Sequence, residues 1–526
     1  MDLLFFHVPK FSNYYKPFNR FSFINLPPMG LLGLADYLRS NQYSTRIIHL
    51  GVEEFKYGEI NLERIIAENQ PAIVGLGLHW HFQTFDVIET AKKIKRDHPE
   101  VAIVLGGFTA SAFAEEILRK FGSIDFVVRG DAEVPLRELI AQYRGSRNYH
   151  LIPNLAFREG GAVRMNPISY VGDANTLDAI CYTDFTLMKD YPTFVNSFSR
   201  YVHLNEISEE LQKRLIGQEK IYPVFLGRGC VYNCSFCGGS SRAQLANNNR
   251  VGFYLRPVES VLNSLKDLQR FGFDSVGLAL DPPPVALREK YYFALFEGIK
   301  KENISLGIEV ERYHLPSPEF IRRFRELPGK DSYVTLSPGS HNEGIRRKNG
   351  LYRYSNAELE ECLRLMEKEG VNSLVCFSAG LPFERRTDLE EMGRYLRQLQ
   401  WKFKRVRCRT SMIEIEPQCP LSSNAPSYGV KPGRSTFMDF YRYHGEAGRN
   451  HFLEMGYERV NCPSEAETKE LFCRNLCTRF NLRWIPPFVN RFFCRTASIM
   501  WKSGALRLLD KVVGLACVIP FLLATS

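Results

Sequence analysis

Leu226-Gly-Arg-Gly-Cys-Val-Tyr-Asn-Cys-Ser-Phe-Cys-Gly-Gly239 holds three cysteines with the spacing C-x3-C-x2-C, directly after the strand-like run Pro223-Val-Phe-Leu226. Thiolates this close in sequence can converge on one metal centre. Cys230, Cys234 and Cys237 are one fewer than the four ligands of a closed zinc or iron–sulfur site. The missing ligand would leave one iron of a 4Fe-4S cluster open to a substrate or cofactor. A zinc site with a distant fourth ligand and three unrelated buried cysteines are the alternatives.

The length and composition are those of a globular protein with two or three domains. The chain has 526 residues, of which 44% are hydrophobic and 24% are charged. Its 13 cysteines lack the dense pairing of a small secreted scaffold, and the opening residues lack the basic start and long apolar core of a secretory signal. We therefore expect a cytoplasmic protein, since an oxygen-sensitive cluster needs reducing surroundings.

Strand-like and helix-like patterns alternate along the first 140 residues. The strand patterns are continuous and apolar, and they fall at Leu3–Phe6, Arg46–Leu50, Ala72–Leu78, Val101–Leu105 and Asp125–Val128. This alternation predicts an α/β domain with a doubly wound, Rossmann-like parallel sheet. Such sheets bind ligands at the carboxyl ends of their strands, so the loops His79–Gln83 and Gly106–Ala110 are candidate binding loops.

A second α/β pattern occupies residues 221–430. After the strand that precedes the cysteines, strand patterns fall at Asp274–Leu280, Ser305–Val310, Tyr333–Leu336, Ser373–Phe377 and Thr410–Ile415. Helical patterns lie between them, which gives six βα units. Polar residues gather after each strand, where a βα barrel of the TIM type has its active site.

The cysteine spacing and the polar loops resemble those of the radical S-adenosylmethionine (radical SAM) superfamily. The resemblance implies a partial (β/α)6 barrel in which Cys230, Cys234 and Cys237 hold a 4Fe-4S cluster. One electron from that cluster would cleave SAM to a 5'-deoxyadenosyl radical, with a flavodoxin or ferredoxin as the reducing partner. The SAM-binding positions that the resemblance implies are Phe236, Asp281, Arg312, Ser337, Ser340, Gly380 and Pro382.

Two of these loops also have a purely structural interpretation. Asp281 and Arg312 could form a buried ion pair, and Gly380-Leu-Pro-Phe-Glu384 could be a plain turn. The run Ser337-Pro-Gly-Ser-His341 lacks the glutamate that is usual in the family, so the residue that holds the SAM amino group is not assigned.

The first domain resembles the cobalamin-binding domain that precedes the barrel in many radical SAM enzymes. The resemblance lies in Pro27–Ala35, Leu105–Ala110 and Val128–Glu133, and with the barrel it covers about residues 1–435. It implies that Gly106 and Gly107 lie beside the nucleotide tail of cobalamin. An Asp-x-His-x-x-Gly run is missing, so no lower-axial histidine is assigned. An empty domain that serves as a substrate platform is the alternative.

His79 and His81 alternate like side chains at the end of a strand. We interpret them as structural or pocket-lining residues, with a metal site as the alternative.

The last segment of the chain is predicted to be mainly helical. Cys473 and Cys477 are four residues apart on a predicted helix, and with Cys462 they are packing cysteines or, alternatively, ligands of a second cluster. Residues 479–526 contain seven basic side chains and one acidic side chain, which is +6 of the net charge of +10. This tail is also aromatic, and its final apolar run is too short to span a bilayer. It predicts peripheral membrane contact, and a helix packed on the barrel is the alternative.

These patterns predict four segments: a cobalamin-binding domain at 1–145, a linker at 146–220, a radical SAM barrel at 221–432 and a helical extension at 433–526. The function implied by the resemblance is a cobalamin-dependent radical SAM methyltransferase that methylates an unactivated carbon of a small molecule or lipid. A radical cyclase, isomerase or C–C coupling enzyme is the second hypothesis, and a non-enzymatic cobalamin- or metal-binding sensor is the third. The body of the chain is only mildly basic, so no nucleic-acid partner is expected.

Overall fold

The computed structural model describes residues 1–10, 21–22, 27–197, 203–204, 221–279, 285–352, 354–446 and 455–477. The first of its two main sheets contains β1 (Leu3–His7), β2 (Thr45–His49), β3 (Ile73–Gly77), β4 (Ala102–Gly106), β5 (Phe126–Val128), β6 (Leu155–Glu159) and β7 (Ala162–Met165). The second contains β8 (Ile221–Phe225), β9 (Ser275–Ala279), β10 (Gly307–Arg312), β11 (Tyr333–Gly339), β12 (Asn372–Ala379) and β13 (Val406–Met412).

Helices flank both sheets. The first sheet and the segment after it have helices at Met29–Ser40, Leu50–Tyr57, Leu62–Asn69, Thr84–Asp97, Phe108–Ala112, Ala114–Lys120, Glu133–Arg144, Ala174–Asp178 and Tyr191–Ser197. Those of the second sheet are Ser241–Asn248, Val258–Arg270, Val285–Lys301, Pro318–Arg325, Glu343–Lys348, Asn356–Lys368, Arg386–Lys402 and Pro420–Ser423. Two more follow, at Phe437–Gly445 and Glu465–Cys477.

The first sheet has the strand order β2-β1-β3-β4-β5-β6-β7, and its first five strands are parallel. Both faces are buried: Leu3 and Phe5 of β1 belong to one hydrophobic cluster, and Leu4 and Phe6 belong to another. Alternate side chains of a strand point to opposite faces, so this division places helices on both sides of the sheet. The predicted doubly wound sheet is confirmed.

Two strands of the segment predicted as a linker belong to this sheet. β6 pairs antiparallel with β5, and β7 pairs antiparallel with β6. The first half of that segment is therefore part of the first sheet and not a connection between domains. No sequence pattern indicates this pairing, because the outer strand β7 is mostly exposed and has no apolar alternation.

The second sheet has the order β8-β9-β10-β11-β12-β13, with every neighbouring pair parallel. This is the predicted partial barrel. The last strand begins at Val406, four residues before the predicted Thr410. Its buried residues Val406 and Cys408 alternate with the exposed Arg407 and Arg409, and the two arginines conceal the apolar pattern.

A buried ion-pair network joins the first domain to the strand that precedes the cysteines. The Oδ1 atom of Asp131 lies 3.2 Å from Nη1 of Arg228, and Asp131 also pairs with Arg250. Glu133, which is 1% exposed, accepts a hydrogen bond of 2.6 Å from Nη2 of Arg228. The backbone N–H of Gly172 donates to Asp131 at 2.9 Å. Burial alone would lower the pKa of Arg228, but Glu133, Tyr182 and Asp131 outweigh it and hold that pKa above its ordinary value.

The C-terminal extension packs on both domains. The backbone N–H of Phe437 donates to Glu116 of the first domain at 2.8 Å. The Phe437 side chain is buried in the hydrophobic cluster of that domain that contains Leu4 and Phe6. In the barrel, Arg459 pairs with the buried Glu384 at 3.3 Å. The predicted helix that contains Cys473 and Cys477 is present, and Cys462 is half-buried before it.

The basic tail, residues 479–526, lies outside the described residues, and so does its predicted membrane contact. Among the helices of the described ranges, none is long and apolar enough to cross a bilayer.

Replacing Asp131 by Asn is expected to lower the free energy of unfolding by about 3–5 kcal/mol, because the buried Arg250 and the half-buried Arg228 would lose their shared carboxylate. Denaturant unfolding followed by circular dichroism measures this change. The control is Glu115→Gln, which removes one partner of the exposed Glu115–Arg119 pair and should cost about 1 kcal/mol or less. Equal effects of the two substitutions would show that the network does not stabilise the fold.

Candidate active site

The cysteine loop begins where β8 ends and enters through a short glycine-rich strand. Gly227–Gly229 pairs antiparallel with Phe253–Leu255. A Cβ atom on Gly227 would lie 1.9 Å from the Tyr254 carbonyl oxygen, and Gly229 has a φ of +94°. Only glycine fits such close approach and such a backbone angle. The Gly-Arg-Gly run therefore turns the chain into the loop and places Arg228 toward the first domain.

Asn349 holds the cysteine loop in place through hydrogen bonds. Its Oδ1 accepts a hydrogen bond of 2.7 Å from the hydroxyl of Ser235, and its backbone carbonyl accepts one from the Ser235 N–H. Its Nδ2 donates to the carbonyls of Ile345 and Pro382, at 3.0 and 3.1 Å. Asn349 and Ser235 are both fully buried. One amide thus joins the cysteine loop to the loop that contains Gly380 and Pro382. Asn349 was not predicted, because no sequence pattern distinguishes it from other polar loop residues.

The three thiols share a site of low polarity. Burial raises the pKa of Cys230, and burial together with the neighbouring Cys230 raises the pKa of Cys234 to about 12. Burial, Glu416 and Cys234 raise the pKa of Cys237 well above its usual range. Three thiolates so placed repel one another, and a polycationic iron–sulfur core would neutralise them. The donor set therefore fits the predicted cluster.

Glu416, which follows the last strand of the barrel, contacts the cysteine loop. Its carboxylate accepts a hydrogen bond from the backbone N–H of Gly238, and burial raises the pKa of Glu416. Because Glu416 follows β13, the end of that strand lies against the cysteine loop.

Aromatic residues form a wall beside the thiols. The rings of Tyr313 and Tyr352 are stacked with centroids 5.0 Å apart, and Tyr232 meets Tyr352 edge-on at 5.4 Å. The Tyr232 hydroxyl lies 3.2 Å from Nδ1 of His314. Burial is the main cause that raises the pKa of Tyr352, and the neighbouring Cys234 raises it further. These rings limit the access of water to the thiols. The sequence analysis did not single out these aromatic residues. The one sequence feature that points to them is their position, since Tyr313 and His314 directly follow β10 and Tyr352 follows Gly350.

The predicted SAM-binding residues fall into two groups. Phe236 packs against the same cluster of buried residues as Cys234, and Ser337 donates a hydrogen bond of 3.0 Å to Glu311 on the inner face of the barrel. Gly380 has a φ of +97°, its N–H donates to Glu384 at 2.7 Å, and Pro382 contacts Asn349. These four lie around the mouth of the barrel. Their assignment as SAM ligands stays a prediction.

The other three residues are placed differently. Ser340 is fully buried, where its hydroxyl accepts from the Asn342 N–H at 3.2 Å. Arg312 is 2% exposed and packs outward, with its guanidinium carbon 4.6 Å from the Phe320 ring centroid. Arg312 therefore packs against the helical layer at the end of β10, and its assignment as a SAM ligand stays a prediction. Asp281 lies outside the described residues, and so does its predicted ion pair with Arg312.

The carboxyl edge of the first sheet forms a cleft with aromatic walls. Gly107, at the end of β4, has a φ of +108°, and a Cβ there would lie 2.7 Å from the Leu78 carbonyl oxygen. Trp80 is 45% exposed and stacks on Phe82, while His79 meets Phe108 edge-on. His79 itself is exposed. Exposed aromatic faces beside glycine backbone fit the predicted flat corrinoid.

The strand-end edges of the two sheets, which are the edges at the carboxyl ends of their parallel strands, meet beside this cleft. Nε2 of His81, after β3, lies 3.9 Å from the carboxylate of Glu414, after β13. Nδ1 of His81 lies 3.2 Å from Nε2 of His444 in the C-terminal extension. The three side chains are close enough to share a metal ion, but Arg434 donates to Glu414 at 2.9 Å, and the amine of Lys10 donates to the His444 carbonyl. Both cations oppose a further cation, so we interpret this group as a contact between the domains.

Comparison with known proteins identifies both domains. Residues 24–140 match the B12 binding domain family, and residues 224–396 match the radical SAM superfamily. The chain is 23% identical over 381 residues to an uncharacterised methyltransferase of Pyrococcus horikoshii, covering 71% of this chain and 73% of that protein. It is 24% identical over 309 residues to the hopanoid C-3 methylase of Methylococcus capsulatus, covering 55% of this chain and 54% of that protein.

A solved structure has a similar fold. The cobalamin-dependent SAM radical enzyme OxsB, with aqua-cobalamin bound, superposes with a TM-score of 0.62 at 14% identity, covering 95% of this chain and 71% of that protein. Together with the two family matches, this confirms the predicted cobalamin-binding and radical SAM domains.

Replacing Cys230, Cys234 or Cys237 by Ala is expected to remove most of the iron that the chain binds on anaerobic reconstitution, about four atoms per chain in the parent. Iron analysis and the visible absorbance of the cluster measure this loss. Cys462→Ala is the matched control and should keep the full iron content. A similar loss in that variant would instead support a second cluster in the extension.

Replacing Asn349 by Leu is expected to loosen the cysteine loop, because buried polar groups of Ser235 and Pro382 would each lose a partner at about 1–3 kcal/mol. The reconstituted variant should release iron to a chelator about tenfold faster or more. Asn166→Leu is the control, since Asn166 is a buried amide of the first domain that donates to the carbonyls of Tyr149 and Ile152. Equal release rates in the two variants would contradict the role of Asn349.

Proposed function

We propose that this chain, which belongs to the radical SAM enzymes with a B12-binding domain, transfers a methyl group from SAM to an unactivated carbon. The observation that supports the proposal most strongly is the meeting of the two strand-end edges. His81 follows a strand of the first sheet and Glu414 follows a strand of the barrel, and they lie 3.9 Å apart. Two cofactors held at these edges would share one cleft.

The candidate residues at the two edges would hold different cofactors. When bound, a 4Fe-4S cluster would supply the electron that cleaves SAM, and cobalamin would carry the methyl group. Cys230, Cys234 and Cys237 would hold the cluster, with Asn349 fixing their loop. The candidates for contact with SAM remain Phe236, Asp281, Arg312, Ser337, Ser340, Gly380 and Pro382. Gly106 and Gly107 remain candidates for contact with cobalamin.

The aromatic wall supports radical chemistry in this cleft. Tyr352 is buried and Tyr313 is half-buried, and their rings are stacked beside the cysteine loop. Excluding water protects a reactive intermediate from side reactions. An electron donor such as flavodoxin or ferredoxin would have to reach the cluster from another side.

The substrate class that we propose is a small molecule or lipid. The hopanoid C-3 methylase, a relative by sequence, has a lipid in its name. The chain covers about half of that relative's length, so its substrate is no more than a guide. Peripheral membrane contact through the basic tail would suit a lipid and stays a prediction.

Product analysis tests the proposal. The full chain, reconstituted anaerobically with cluster and cobalamin, is expected to form both 5'-deoxyadenosine and S-adenosylhomocysteine from SAM and a chemical reductant. Cys234→Ala should abolish 5'-deoxyadenosine, and omission of cobalamin should abolish S-adenosylhomocysteine. Formation of 5'-deoxyadenosine alone would contradict methyl transfer and favour a radical cyclase, isomerase or C–C coupling enzyme. If neither product forms on the fully loaded protein, the chain is a sensor.

A further inference from the structure

The register of the barrel strands shows which side chains face its interior. Glu311, Thr335, Leu374 and Arg407 are successive partners across β10, β11, β12 and β13. Partners in parallel strands point to the same face of a sheet. The neighbours on the opposite face, such as Val310, Leu336 and Val375, are buried in the cluster beneath the helices. Arg407 therefore faces the lumen, and so does Arg409, the partner of Cys376.

These two arginines are exposed on the lumen-facing side of β13. The burial pattern of β13 alternates strictly from Val406 to Thr410, with both arginines on the exposed side. Within the described ranges, neither arginine forms a hydrogen bond or ion pair. A guanidinium presents a planar fork of donors that matches the two oxygens of a carboxylate or phosphate. The two forks lie two residues apart on one strand, so their donors suit an oxyanion.

The acidic side chains of the lumen lie on a different part of the barrel. Glu309 accepts a hydrogen bond of 2.9 Å from Thr335, and Glu311 accepts one of 3.0 Å from Ser337. Both glutamates are on β10, three strand spacings from β13, which is about 14 Å along the sheet. The lumen-facing side of the sheet therefore has acidic side chains on β10 and basic side chains on β13.

The same strand leads from the arginines to the cysteine loop. Arg409 is three residues before the end of β13, which is about 10 Å along the strand. Just beyond that end, Glu416 accepts a hydrogen bond from Gly238 of the cysteine loop. An anion bound by the arginines would thus lie of the order of 10 Å below the mouth of the barrel, with the rest of the molecule extending toward the cysteines.

We propose that Arg407 and Arg409 bind a carboxylate or phosphate group of the substrate. The inference rests on the proposed function, because it assigns the lumen to the substrate of that reaction. It narrows the substrate to molecules with an oxyanion at one end and the reacting carbon of the order of 10 Å away. A neutral lipid is outside this class.

Charged residues on an edge strand have a second known effect, which is to block pairing with another chain. That effect needs no ligand and predicts no saturable anion binding. Binding of simple anions therefore separates the two roles.

The experiment uses the full chain with cluster and cobalamin, at fixed ionic strength. Inorganic pyrophosphate and succinate serve as probes of the phosphate and carboxylate classes, and calorimetry measures their dissociation constants. The test variant is Arg407→Gln/Arg409→Gln. The control is Arg386→Gln/Arg394→Gln, which removes the same charge from two exposed arginines on the helix behind β13. Circular dichroism and cluster absorbance verify that each variant is folded and loaded.

The expected result is saturable binding of at least one probe that weakens about tenfold or more in the test variant and is unchanged in the control. The probe that binds identifies the phosphate or the carboxylate class. Equal binding in all three proteins, or no saturable binding of either probe to the parent, would overturn the inference. Both readouts are independent of turnover, so a failure of methyl transfer would not be mistaken for a failure of anion binding.

Discussion

The buried pairing of Asp131 and Glu133 with Arg228 and Arg250 is the constraint that fixes the two domains against each other. Taking four charges out of water is costly, and it is offset only where each charge has partners with good geometry. Here one carboxylate meets two guanidiniums and a backbone N–H, and the second carboxylate meets Arg228 again. Arg228 lies two residues before Cys230, so the same contact that joins the domains also sets the start of the cysteine loop.

Function follows from the orientation that this contact imposes. A doubly wound sheet and a βα barrel each bind ligands at the carboxyl ends of their strands. If the two edges faced apart, two cofactors could not act on one substrate. The contacts of His81 with Glu414 and with His444 bring these edges together and include the C-terminal extension. The lumen below, with acids on one side and arginines on the other, is then the place for the molecule on which they act.

Much of the fold was predictable because its determinants are local. The strands are continuous apolar runs, and the cysteine spacing lies within eight residues. Other features depend on long-range contacts, which local patterns do not record. β7 is exposed and has no strand-like pattern, so its place in the first sheet depends on pairing with β6. The packing of Arg312 against Phe320 is decided in the same way, by the register of β10. Asn349 acts through contacts with residues 33 and 114 positions away, which no local pattern records.

The central claim is that the two cofactor edges share one cleft. Pulsed electron paramagnetic resonance on the full chain, with the cluster reduced and cobalamin in its paramagnetic cob(II) state, measures the magnetic coupling between the two centres. A shared cleft predicts a clear dipolar coupling that disappears when either centre is left out. Two fully occupied centres without detectable coupling would contradict it.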